Sequence, residues 1–158
     1  MLTGVGFTGE PAYIPMLIKQ MEKPDLARVS GGAFTLITGV DLYLESLAGE
    51  PPEGFDAGPN DDPTDDNVEM DIDEDLPWPN ATLVRNWWEN NKGSFVMGTR
   101  YLAGQAVSPA HCKLILGDGM QSQRYAAALE LALSQPDAPW FNTLAPGSRQ
   151  LRHLQNRS

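Results

Sequence analysis

The chain has 158 residues, 41% of them hydrophobic, which is the size of one domain with apolar content enough to fill one core. No stretch approaches the roughly 18 uncharged apolar residues of a membrane helix; no Lys or Arg precedes Lys19 to open a signal peptide; and the lone Cys112 can form no internal disulfide and cannot by itself build a thiolate metal site. A cytoplasmic protein without a membrane partner is expected, and a formal charge of −10 argues against the basic face through which proteins grip nucleic-acid phosphates.

Gly4-Val5-Gly6-Phe7-Thr8-Gly9 has the G-x-G-x-x-G spacing of a dinucleotide-binding turn. Only three residues precede it, so there is no room for the first strand, and no βαβ alternation follows. It reads as a turn between helices, and no cofactor is expected.

Residues 10–22 place Ile14, Leu17, Ile18 and Met21 on one helical stripe. Pro11 suits the first turn of that helix, and Pro24 ends it and opens the next. The second helix buries Leu26, Val29, Ala33, Leu36 and Ile37 and stops at Gly39, a residue able to take the left-handed cap. Gly31 and Gly32 inside it cost about 1 kcal/mol each relative to Ala, which points to close contact with another helix. Residues 40–48 read as a further helical turn or two.

The segment 49–79 is different in kind. It holds twelve acidic side chains, six prolines and three glycines, and no Lys or Arg, leaving nine acids against eleven bases in the rest of the chain. Such a segment is a long loop. Val68, Met70 and Ile72 alternate with acids as a short extended piece would, and Leu76-Pro77-Trp78-Pro79 supplies an apolar anchor.

Asn80 is a good N-cap for a helix whose face is Leu83, Val84, Trp87 and Trp88, stopped by Gly93. Trp87, Trp88 and Tyr101 read as core, whereas Trp78 and Trp140, in proline-rich loops, read as exposed anchors or loop pins. Two β-prone runs flank Ala103-Gly104 and read as a small hairpin. Ser108-Pro109 caps a helix running to about Leu116, Gly117-Asp118-Gly119 breaks it, and residues 120–134 form an Ala/Leu-rich helix, apolar nearly all round. The basic tail from Pro146 reads as a last helix.

The two helix pairs match each other. Pro11, Ala12, Met16, Leu17 and Ile18 correspond to Pro109, Ala110, Leu114, Ile115 and Leu116 at an offset of 98, and Arg28, Ala33, Phe34 and Leu36 correspond to Arg124, Ala128, Leu129 and Leu131 after small gaps. Paired helices repeated in this way are how solenoids are written. The expected fold is therefore all-α: HEAT-like hairpins stacked in a short solenoid or bundle, with residues 1–48 as one pair, 49–79 as the acidic loop, and 80–158 carrying the second pair and one small β-hairpin.

Longer motifs carry a resemblance. Gly-Glu-Pro-Ala at 9–12, Leu-Ile-Thr-Gly-Val-Asp-Leu at 36–42, Gly-Glu-Pro-Pro-Glu-Gly-Phe at 49–55, Asn-Asp-Asp-Pro at 60–63, Asp-Glu-Asp-Leu-Pro-Trp-Pro at 73–79, Arg-Tyr-Leu-Ala-Gly-Gln at 100–105 and Gln-Arg-Tyr-Ala-Ala-Ala-Leu-Glu-Leu-Ala-Leu at 123–133 resemble the C-terminal region of a family of uncharacterised HEAT-repeat proteins associated with type VI secretion clusters. The resemblance covers nearly the whole chain. It implies further repeats before this region in longer members, so the chain is expected to be a truncated member or an excised fragment.

Chemistry-bearing motifs are sparse. Asp71-Ile72-Asp73-Glu74-Asp75 offers the hard oxygens that Ca²⁺ takes, but the EF-hand order of a sixth-position Gly and twelfth-position Glu is absent, so no metal ligands are assigned. His111 and Cys112 are adjacent, and neighbours on a helix point about 100° apart. No G-x-S-x-G elbow, P-loop or H-E-x-x-H occurs, so no catalytic residue is assigned. The expected function is a non-enzymatic scaffold or adaptor that binds another protein, which the resemblance implies to be a type VI secretion component or effector, with Asp61, Asp62, Asp65, Asp66 and Trp78 as candidate partner-binding residues. The alternatives are a metal-dependent or hydrolytic enzyme using the acidic loop, and an immunity-type protein masking a toxin, its acids mimicking nucleic acid.

Overall fold

The structure, a computed structural model, describes residues 2–55, 71–135, 137 and 139–155. The described residues are mainly helical, with one small antiparallel two-stranded sheet.

Helix α1, Leu2–Thr8, takes in the first two glycines of the G-x-G-x-x-G run. That run is therefore helix rather than the expected turn, and only Gly9, beyond the helix end, has positive φ (69°). Gly6 has a packing role: a Cβ there would lie 3.0 Å from the Ala33 Cα, so the missing side chain lets α1 lie directly on the following long helix.

A 3₁₀ turn, Pro11–Tyr13, capped by the Glu10 carboxylate, leads into α2, Ile14–Gln20. Ile14, Leu17, Ile18 and Met21 are buried as their spacing requires. Helix α3, Pro24–Thr38, opens on its proline and ends on Gly39 in the left-handed region (φ 73°). Residues 42–46 form hydrogen-bonded turns instead of the expected helix, because Asp41 Oδ1 accepts from the Tyr43 and Leu44 N–H groups and turns the chain locally.

After the acidic excursion, α4, Ala81–Asn91, starts on Asn80, whose Oδ1 accepts from the Thr82 and Leu83 N–H groups at 3.1 Å each. It buries Val84 and Trp88 and leaves Leu83 exposed. Strands β1, Tyr101–Leu102, and β2, Gln105–Ala106, pair antiparallel about Ala103 and Gly104, both at positive φ (49° and 81°), as a two-residue hairpin turn demands. The hairpin tip also caps a helix. Its Ala103 and Gly104 N–H groups donate to the Leu36 and Ile37 carbonyls at 2.8 and 3.0 Å, satisfying acceptors that the end of α3 leaves unpaired.

Helix α5, Pro109–Asp118, begins on the Ser108 cap and runs through Gly117, two residues beyond the expected end. Helix α6, Gln121–Ser134, buries one face through Gln123, Ala126, Ala127, Ala128 and Leu131 and exposes Tyr125 and Leu133, so it is amphipathic rather than enclosed. Helix α7, Gly147–Gln155, closes the described chain.

Among the described residues the core falls into two clusters. The first gathers Ile14, Leu17, Phe34, Ile37, Val84 and Trp88; the second gathers Leu36, Leu102, Cys112, Leu116, Ala127, Leu131 and Phe141. Helix α3 serves both, with Phe34 and Ile37 in one and Leu36 in the other. Burying a side chain such as Phe34 stabilises by roughly 1.5–3 kcal/mol. Arg100 also joins the halves: its guanidinium donates to the Thr8 and Phe7 carbonyls at the end of α1 (2.7 and 3.2 Å) and pairs with Glu130 on α6.

Candidate functional site

The acidic excursion leaves and rejoins the helical body at one place. Ala48 and Pro79 form an isolated antiparallel bridge, the Gly49 N–H donates to the Trp78 carbonyl at 2.8 Å, and the Asn80 N–H donates to the Leu47 carbonyl at 2.8 Å. This stem rests on the glycines of α3. A Cβ on Gly31 would lie 3.2 Å from a Leu42 methyl and 3.3 Å from the Pro79 ring, and one on Gly32 would face Leu76 at 3.5 Å. The close contact inferred for these glycines is thus real, but the partner is the returning loop and not a second helix.

Arg28 projects from the same helix and holds the excursion from both sides. Its guanidinium pairs with Asp71 at 2.6 Å, with the two side chains only 13% and 17% exposed. It lies 5.6 Å from the ring centres of both Phe55 and Trp78, which meet each other edge to face at 4.8 Å. Partial desolvation pushes the Asp71 carboxyl up, but the hydrogen bonds from Arg28 and the Asp73 N–H, with the guanidinium charge, outweigh it and hold the group below its ordinary 3.8.

Above this pair lies an open groove of about 390 Å³, lined by Tyr43, Glu50, Pro51, Phe55, Leu76 and Trp78 around Arg28 and Asp71. Tyr43 is 69% exposed on its edge. Trp78, expected as an exposed anchor or loop pin, is half-buried and acts as the pin. Asp61, Asp62, Asp65 and Asp66 lie outside the described residues, as do Val68 and Met70, while Ile72 sits exposed in a turn.

No sequence motif joins Arg28, Phe55 and Asp71 as a unit. One signal is nevertheless present: from Val29 to Val84 the chain has fourteen acids and no Lys or Arg, which makes Arg28 the last base before the excursion. Its counterpart in the helix-pair match, Arg124, acts comparably, donating to the Leu116 carbonyl at the end of α5 (2.9 Å) and to Gln150 of α7. In both pairs an arginine of the second helix ties down a segment outside that helix.

The remaining candidates do not converge. His111 Nε2 meets the Leu102 carbonyl at 2.7 Å, joining α5 to the β-hairpin. Cys112 is fully buried, and that burial, then the Glu130 charge, push its thiol up, so it is a core group. Among the described residues no three His, Cys, Asp or Glu side chains are grouped to hold a metal ion, and no helix is long and apolar enough to cross a membrane. No known protein family, curated protein or solved structure matches this chain.

Proposed function

We propose that the chain is a non-enzymatic helical scaffold or adaptor domain, its helix pairs stacked in the HEAT manner, which docks a basic protein partner on its acidic excursion. The observation that carries the reading is the pinned stem. The described ends of the acid-rich segment are held to α3 by Arg28, Asp71 and two aromatic rings, and a concentration of negative charge steers an oppositely charged partner and speeds encounter. The family resemblance supports a partner drawn from a type VI secretion assembly or its cargo.

The test is a pull-down from the native host with the full chain as bait. Neutralising Asp61, Asp62, Asp65 and Asp66 to Asn should weaken a complex that also weakens with added salt. Capture that is indifferent to both would remove the docking role of the excursion.

A further inference from the structure

We infer that the groove above the Arg28–Asp71 pair takes a lysine- or arginine-bearing segment of a protein partner, an inference that rests on the protein-docking reading above and names where on the excursion the partner seats. The first ground is shape. The groove is open, about 390 Å³, and combines aromatic and aliphatic walls (Tyr43, Phe55, Trp78, Leu76) with a carboxylate on its lining at Glu50. A flat aromatic wall beside a carboxylate receives a long cationic side chain, its methylenes on the ring and its charged head on the acid.

The second ground is that the site already holds one such group. Arg28 lies over Phe55 and Trp78 with Asp71 at its head, so these rings accept a guanidinium at 5.6 Å. Tyr43 and Glu50, both exposed, line the same groove and offer the same pair of chemistries.

The third ground is charge. Among the described residues the only base lining the groove is Arg28, and its charge is offset by Asp71. Glu50 and Glu53 precede the groove's Phe55 and Asp73, Glu74 and Asp75 follow its Asp71, and no Lys or Arg occurs from Val29 to Val84. An anionic segment would be repelled, and a neutral one would gain nothing from the carboxylates around the groove.

The experiment is calorimetric titration of the full chain with an arginine- and lysine-rich peptide of about twelve residues, with a glutamate-rich peptide and spermine as comparison arms. Tyr43 and Glu50 are both exposed, so Tyr43→Ala with Glu50→Gln leaves the core intact, and an unchanged unfolding temperature checks this. The basic peptide should bind, the acidic one should not, and the double variant should weaken binding about tenfold, the combined worth of one cation–π contact and one exposed ion pair. Equal binding of spermine and peptide, binding of the acidic peptide, or no binding of the basic peptide would overturn the groove. Binding that survives the double variant but fails when Asp61, Asp62, Asp65 and Asp66 are neutralised would also overturn it, yet leave the docking role of the excursion standing. Indifference to both sets would remove both.

Discussion

Adjacent glycines on α3 offer a direct test of how the excursion is seated. Gly31 and Gly32 both sit inside a helix, where Ala is preferred by about 1 kcal/mol, so propensity alone predicts the same gain from either substitution. The structure separates them. A Cβ on Gly32 meets nothing closer than Leu76 methyls at 3.5 and 3.6 Å, which is ordinary contact, so Gly32→Ala should stabilise by roughly 0.5–1 kcal/mol. A Cβ on Gly31 meets Leu42 at 3.2 Å and Pro79 at 3.3 and 3.4 Å, and the proline belongs to the stem bridge and cannot rotate away. Most of the propensity gain at Gly31→Ala should therefore be cancelled, and Gly31→Val, which adds bulk at the same point, should destabilise by about 1–3 kcal/mol. At this chain length 1 kcal/mol moves the unfolding temperature by roughly 2–4 °C, so the three variants should order as Gly32→Ala above wild type, Gly31→Ala near it and Gly31→Val clearly below. Equal gains at the two positions in thermal unfolding would mean that the stem does not rest on Gly31.

Two further outcomes follow from the charged and sulfur groups. Because the folded-state pKa of Asp71 lies below its ordinary 3.8, the pair with Arg28 contributes stability that is fully present above that value and is lost as pH falls through the folded pKa. The difference in urea midpoint between wild type and Asp71→Asn should thus be constant at neutral pH and vanish in acid, and a difference that grows on acidification would refute the pairing. Cys112 is 1% exposed and its thiol is pushed up by burial, so it should react slowly with a disulfide reagent in the folded protein and rapidly in urea. Rapid labelling without denaturant would show that the second core cluster opens.

Helix ends and caps were legible because they are local. Pro24 at the start of α3, Gly39 after it, Asn80 before α4 and Ser108 before α5 each act through hydrogen bonds or backbone angles within a few residues, and the structure has them in those roles. The hairpin about Ala103-Gly104 was legible for the same reason, as was the burial of Ile14, Leu17 and Trp88, which follows from their spacing. Where the sequence misled, local signals were ambiguous. A glycine inside a helical run can mark a turn or a close approach, and only the position of Ala33 makes Gly6 the latter, just as only the returning Pro79 explains Gly31.

The groove belongs wholly to the tertiary structure. Arg28, Tyr43, Phe55, Asp71 and Trp78 are spread along the chain, and no spacing rule relates them. They meet because the stem between Ala48 and Pro79 closes the excursion onto α3, and a largely desolvated guanidinium then gains from both a carboxylate and a polarisable face nearby. The sequence by itself determined that twelve of the 21 acids fall in one proline-rich segment free of Lys and Arg; which ring and which carboxylate the described ends of that segment bring to Arg28 was decided by packing between residues distant in the chain.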